Sequence, residues 1–262
     1  MSFRVKLFLI LFLAGLSGVL SILLIDIEAL IAILPIPDKS QIPEITPALT
    51  VLSLIQPAVI LGVAVLIGIA LAPSVGLRSP AAEAAANGEN VMPALSPQIL
   101  PGIIGGILGG AAIVLTAAVW TPYLQPDIVD VVSQFQRLSP LPLRLLYGGI
   151  TEEILIRWGL MTLLVWAGYR LFQKGRSGPR AAIFAAAILI SSLIFGIGHL
   201  PIAFMLVPEP TAPLILFVII ANSLFGFVAG FLYWKRGLES AIIAHMTAHL
   251  VMYAANYLGA YF

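Results

Sequence analysis

The sequence predicts an all-α, polytopic membrane helix bundle of about seven transmembrane helices, and three observations carry that prediction. Of the 262 residues, 60% are hydrophobic and only 10% charged, where a water-soluble domain carries roughly 25% charged residues. The mean hydropathy is +1.07. Apolar runs of about 20 residues, the length that crosses a bilayer core, recur along the chain between charged, proline and glycine breaks. This pattern excludes a soluble enzyme, a disordered protein and a nucleic-acid binder. The net charge of +1 offers no basic field to a polyanion, so the partner implied is the lipid bilayer. Cysteine is absent, which removes disulfides, thiolate nucleophiles and cysteine metal sites and leaves any chemistry to oxygen and nitrogen side chains.

In chain order, the predicted spans are Lys6 to Ile25, Ala48 to Leu71, Ile103 to Trp120, Leu145 to Tyr169, Ala181 to Leu206, Ala212 to Trp234 and Leu238 to Leu258. Arg4 and Lys6 precede the first run as they would a secretory signal, but the run is too long for an ordinary signal core and no Ala-x-Ala-like site closes it, so it reads as a retained span. Pro80 to Pro97 is rich in Ala, Asn, Glu and Pro and reads as a flexible cytoplasmic loop. Between the third and fourth spans, Ile128, Val131, Val132, Phe135 and Leu138 recur at helical spacing, with Asp127, Asp130, Gln134 and Arg137 between them. Two readings stand there: a short amphipathic helix in the interface, or an ordinary polar loop. Gly102, Gly106 and Gly110, and later Gly226 and Gly230, repeat every four residues and predict close helix approach. No internal repeat marks two halves of a transporter.

Cytoplasmic loops are enriched in Lys and Arg. An N-terminus in the cytoplasm puts Arg4, Lys6, Arg78, Arg170, Lys174, Arg176, Arg180, Lys235 and Arg236 on that side and leaves Lys39, Arg137 and Arg144 outside. Seven spans then place the C-terminus outside.

An ionisable side chain in hydrocarbon costs roughly 2.5 to 3.5 kcal/mol even on insertion scales, so each one demands a reason. Glu152, Glu153 and Arg157 fall in the fourth span, His199 in the fifth, and His245 and His249 in the seventh; these are all three histidines of the chain. Glu153 and Arg157 are at i,i+4 with the acid N-terminal, the better orientation for an ion pair. On an α-helix Glu152 is rotated about 100° from Glu153 and about 140° from Arg157, so it points elsewhere and is the carboxylate without a partner on its own helix. An uncompensated carboxylate in an apolar wall suits a general base that takes a proton from water. His245 and His249, also at i,i+4, leave one helix face together. That spacing fits a bidentate metal site or a pair of donors aimed at one oxyanion. His199 follows Phe195-Gly196-Ile197-Gly198, where small residues admit a close neighbour. At about 1.5 Å per residue Glu152 and His199 fall in the outer half, His249 near the midplane, and His245 roughly 10 Å from the inner end of its helix, an offset that a shared site has to absorb.

The Glu-Glu-x-x-x-Arg of Glu152, Glu153 and Arg157, the Phe-x-x-x-His of Phe195 and His199, and the late histidine pair after a glycine-rich helix resemble the CPBP family. That family comprises the CAAX prenyl proteases and the bacteriocin-processing enzymes, also called the Abi domain. The motifs run in order over residues 143–262, the segment expected to form the catalytic membrane core, whereas residues 1–142 carry helices and loops without a family signature. The resemblance implies an intramembrane endopeptidase acting on a membrane-associated, possibly lipidated, peptide or protein. It implies that Glu152 activates water with help from His199, and that His245 and the polar residue one turn later stabilise the oxyanion. The family has Asn or Asp at that last position, and this chain has His249. Two readings of the same residues then compete, a metal-independent glutamate protease and a zinc enzyme with His199, His245 and His249 as ligands and Glu152 as base; the histidine moves this chain toward the second without making it the preferred one. Two other classes compete with a protease: a small proton-coupled transporter using the same groups as a relay, and a non-catalytic scaffold or immunity factor.

Overall fold

The computed structural model describes residues 1–42, 45–173 and 178–259, and among these every regular element is helical. Helix α1 (Phe3–Ser21) is followed by the short α2 (Ile27–Ile33), capped by the Asp26 side chain, and by α3 (Pro47–Val75). Thr46 caps α3 and Pro47 sits in its first turn, the usual start signals, while Gly76 at φ 75° ends it.

The segment expected to be a flexible loop is instead ordered as α4 (Pro80–Asn87) and the first turns of α5 (Met92–Trp120). Pro80 fits the first helical turn, five alanines supply the strongest helix former, and Gly88 at φ 78° stops the helix. Helix α5 starts at Met92 rather than Ile103 and contains Pro97 and Pro101. Together with Pro93 these recur every four residues, so the carbonyls they leave unbonded lie along one stripe. The amphipathic alternative holds for the next segment. Helix α6 (Pro126–Leu138) buries Ile128, packs Val131, Val132 and Phe135 on the core, and exposes Asp127, Asp130, Gln134 and Arg137.

The fourth span is α7 (Leu141–Phe172). Its backbone widens into π geometry over Arg144–Glu152 and Ile154–Met161. Helix α8 (Ala181–Gly198) and α9 (Leu200–Leu206) form one crossing, Ala181–Leu206, bent at His199. Pro201 has no N–H and its ring opposes the carbonyl four residues back, which breaks the helix there. Helices α10 (Ala212–Lys235) and α11 (Leu238–Tyr257) complete the bundle.

Among the described residues, six segments are long and apolar enough to cross a membrane. The seventh expected span, α11, falls outside that group because Glu239, His245, His249 and Asn256 dilute its apolar surface. It nevertheless runs its 20 residues parallel to α5. Gly102 faces Ser240 and Ile243, Gly106 faces Ala244 and Thr247, and Gly110 faces Ala248 and Val251. A Cβ on Gly102 or Gly110 would stand 2.8 Å from Ile243 or Val251, so these glycines set the approach of the two helices. Gly226 and Gly230 do the same for α10 against Ser192 and Ile188 of α8. Helix α7 is central: Thr151 Oγ1 donates to the carbonyl of Gly15 in α1 at 2.7 Å and Trp158 Nε1 to that of Val65 in α3 at 3.2 Å. Leu66, Leu108 and Leu115 are exposed on the rim, where lipid is their solvent.

The two ends of the bundle differ. At the end where α3 and α10 finish, α4 lies over the start of α11. Glu239 Oε1 accepts from Ser79 Oγ and from the backbone N–H groups of Ala81 and Ala82 at 2.8 to 3.0 Å. Gln98 Oε1 accepts the Ser240 N–H at 3.1 Å, and the Leu238 N–H donates to the Arg78 carbonyl at 3.1 Å. Leu238 and Ser240 are fully buried. Helix α11 therefore begins inside the bundle, and this inward start absorbs the depth offset expected for His245. Lys174 and Arg176, assigned to this side from the sequence, lie outside the described residues.

Candidate active site

The polar residues of α7, α8 and α11 meet in one cavity of about 490 Å³. Glu153 and Arg157 are both fully buried and pair as their spacing predicts, Arg157 Nε donating to Glu153 Oε2 at 3.1 Å. The other oxygen of Glu153 accepts from His245 Nδ1 at 2.9 Å. A carboxylate paired with arginine is an acceptor only, so the proton of this bond belongs to Nδ1 and His245 turns its Nε2 the other way. There it faces Glu152 Oε2 at 3.9 Å, beyond a direct hydrogen bond.

Glu152 does not point away from Glu153 as an α-helix requires. π winding, with bonds from i to i+5, rotates the chain by less per residue and narrows the angle between the two side chains. Both carboxylates thus address one imidazole, Glu153 from behind and Glu152 across the cavity. Gly148 and Gly149, poor helix formers, lie within the widened stretch.

His199 sits on the α8–α9 bend, where its Nδ1 donates to the Phe195 carbonyl at 2.8 Å and leaves Nε2 for the cavity. His249 stacks on His245 with ring centroids 4.8 Å apart and planes 10° apart. Neither of its nitrogens has a hydrogen-bond partner among the described residues. It fits because Gly148 lacks a Cβ, which would run into its Nε2. Phe195, buried, stands edge-on to His199 and to His245 at 4.7 and 5.8 Å, and the Arg157 guanidinium lies 5.3 Å over its face. Every residue singled out from the sequence is therefore in or against this one cavity.

Several residues here were not legible in the sequence. Phe225 of α10 tilts over His245 at 4.2 Å. Asn222, one turn earlier, lines the cavity while its Nδ2 donates to the Val218 carbonyl at 2.8 Å. Tyr147 and Arg144 of α7 also line it, Arg144 donating to the carbonyls of Ser139 and Gln136 at the end of α6. An asparagine within an apolar span was the available signal for Asn222.

The expected trio of metal ligands is not arranged as one. Ligation uses lone pairs in the ring plane, and the nearly parallel, stacked rings of His245 and His249 aim theirs side by side instead of at a common point. Among the described residues no three His, Asp or Glu side chains are grouped to hold a metal ion.

An acid facing an imidazole that a second acid orients, inside one cavity of a bundle of long apolar helices, is an arrangement suited to proton transfer in a multi-pass membrane protein. Residues 134–251 match the family described as Type II CAAX prenyl endopeptidase Rce1-like, in agreement with the CAAX protease family that the motifs resemble. The matched stretch holds all of the residues from Glu152 to His249 that meet in the cavity and implies a protease. No curated protein and no solved structure matches the chain.

Proposed function

We propose that the protein is a metal-independent intramembrane endopeptidase that hydrolyses a peptide bond in a membrane-associated, possibly lipidated, peptide or protein. One observation carries the reading: Glu152 and Glu153 address opposite nitrogens of His245 at 3.9 and 2.9 Å. Glu152 takes a proton from water as the oxygen attacks the substrate carbonyl. The proton passes to His245 Nε2, whose ring Glu153 holds in place, and from there to the departing amine, so that acid and amine products leave with all protons accounted for. His199, through Nε2, helps position the water, and His249, stacked on His245 beside the same cavity, stabilises the oxyanion where the family has Asn or Asp. Phe195 and Arg157 hold the two imidazoles and Glu153 in register. The CAAX protease match supports this reading over a transporter or a silent scaffold.

The test compares membrane peptides of wild-type and Glu152→Ala cells: peptides that stay uncut in the variant are expected, and identical peptide sets would sink the protease. With a cleaved peptide in hand, turnover by the purified enzyme should withstand a strong chelator, whereas loss restored by Zn²⁺ would return the zinc mechanism.

A further inference from the structure

We infer that the cavity opens on the non-cytoplasmic face of the membrane, so that the enzyme cleaves membrane-anchored peptides whose scissile segment is presented outside the cytoplasm. The inference rests on the protease reading for its second half and on independent observations for its first. Alternating crossings bring the end of α1, the segment between α5 and α7, and the segment between α8 and α10 to one end of the bundle. Those segments contribute lining residues of the cavity at that end: Ile22 and Ile25 after α1, Phe135 and Ser139 at α6, Leu206 and Val207 after the bend. At the opposite end α4 and the buried start of α11 are locked by Glu239, Gln98 and Arg78, and none of the described cavity-lining residues comes from there.

Charge assigns the two ends to the two sides. At the closed end stand Arg4 and Lys6 at the start of α1, Arg78 before α4, Arg170 in the last turn of α7, Arg180 before α8, Lys235 at the end of α10 and Arg236 just after it. The open end has Lys39, Arg137 and Arg144, and Arg144 is buried and bonded to backbone carbonyls. Basic residues in short loops close to span ends are held on the cytoplasmic side during insertion. The closed end is then cytoplasmic, and water and substrate reach Glu152 from outside.

The absence of native cysteine makes the test direct. Asp130 on α6 and Glu89 between α4 and α5 are both exposed. In intact cells a membrane-impermeant maleimide should label an Asp130→Cys chain at once and a Glu89→Cys chain only after permeabilisation. The reverse pattern overturns the orientation. For the substrate, peptides left uncut in Glu152→Ala cells should react with an impermeant amine reagent added to intact cells, and reaction only after lysis overturns the substrate half. If no peptide accumulates, the protease reading fails and takes the substrate half with it, while the labelling pattern still decides which way the cavity faces.

Discussion

The closed end of the bundle and the cavity both place polar side chains among apolar helices, yet they use them in opposite ways. At the closed end one oxygen of Glu239 gathers three donors, and Gln98 and Ser240 satisfy each other across the α5–α11 contact. In the cavity, hydrogen bonds to Phe195 and Glu153 fix how His199 and His245 are oriented while leaving a ring nitrogen of each open, and both nitrogens of His249 are without hydrogen-bond partners among the described residues. Buried polar groups are normally satisfied. At the closed end the bonded oxygen of Glu239 ties helices together, although its other oxygen has no partner among the described residues; in the cavity the ring nitrogens left open are available for proton transfer.

Four substitutions break or sharpen that contrast. Glu153→Ala should be the most damaging, because it strands the Arg157 charge in the core and releases His245. A loss of about 3–5 kcal/mol is expected with no measurable turnover, and an unchanged unfolding midpoint in detergent would show that the pair is not structural. Glu152→Gln should slow cleavage by about 10²–10⁴-fold, the usual worth of a general base, while leaving the unfolding midpoint in place. Gly148→Ala pushes against His249 Nε2; a shifted imidazole should lower kcat by up to about 10²-fold, and full activity would remove His249 from the mechanism. Glu239→Ala should cost about 1–3 kcal/mol by stranding two backbone donors and a hydroxyl, with turnover per folded molecule unchanged. A fall in that turnover would mean that the closed end takes part in the reaction.

Much of this was legible in the sequence, for a physical reason. Lipid offers backbone groups no hydrogen bonds, so spans must be helical and long, and charges among them stand out. Ala181–Leu206 was readable to the residue, and Glu153 with Arg157 was readable as a pair from spacing alone. The angle between Glu152 and Glu153 was not, because periodicity assumes α geometry and α7 is wound wider. Helix α4 was missed because its alanines and flanking prolines resemble a loop until Glu239, far along the chain, supplies its N-terminal acceptor. Phe225 had no signal, since an aromatic residue in an apolar span is unremarkable until an imidazole is laid against it.

Helix α4 has one more consequence. A wet pocket that reaches His245, about 10 Å from the far end of its helix, leaves only a thin layer of protein between two aqueous compartments. A chain that let ions slip through that layer would short-circuit the gradient across its membrane. By corking the layer with a short alanine-rich plug, clamped by Glu239, the fold closes the end of the bundle opposite the cavity.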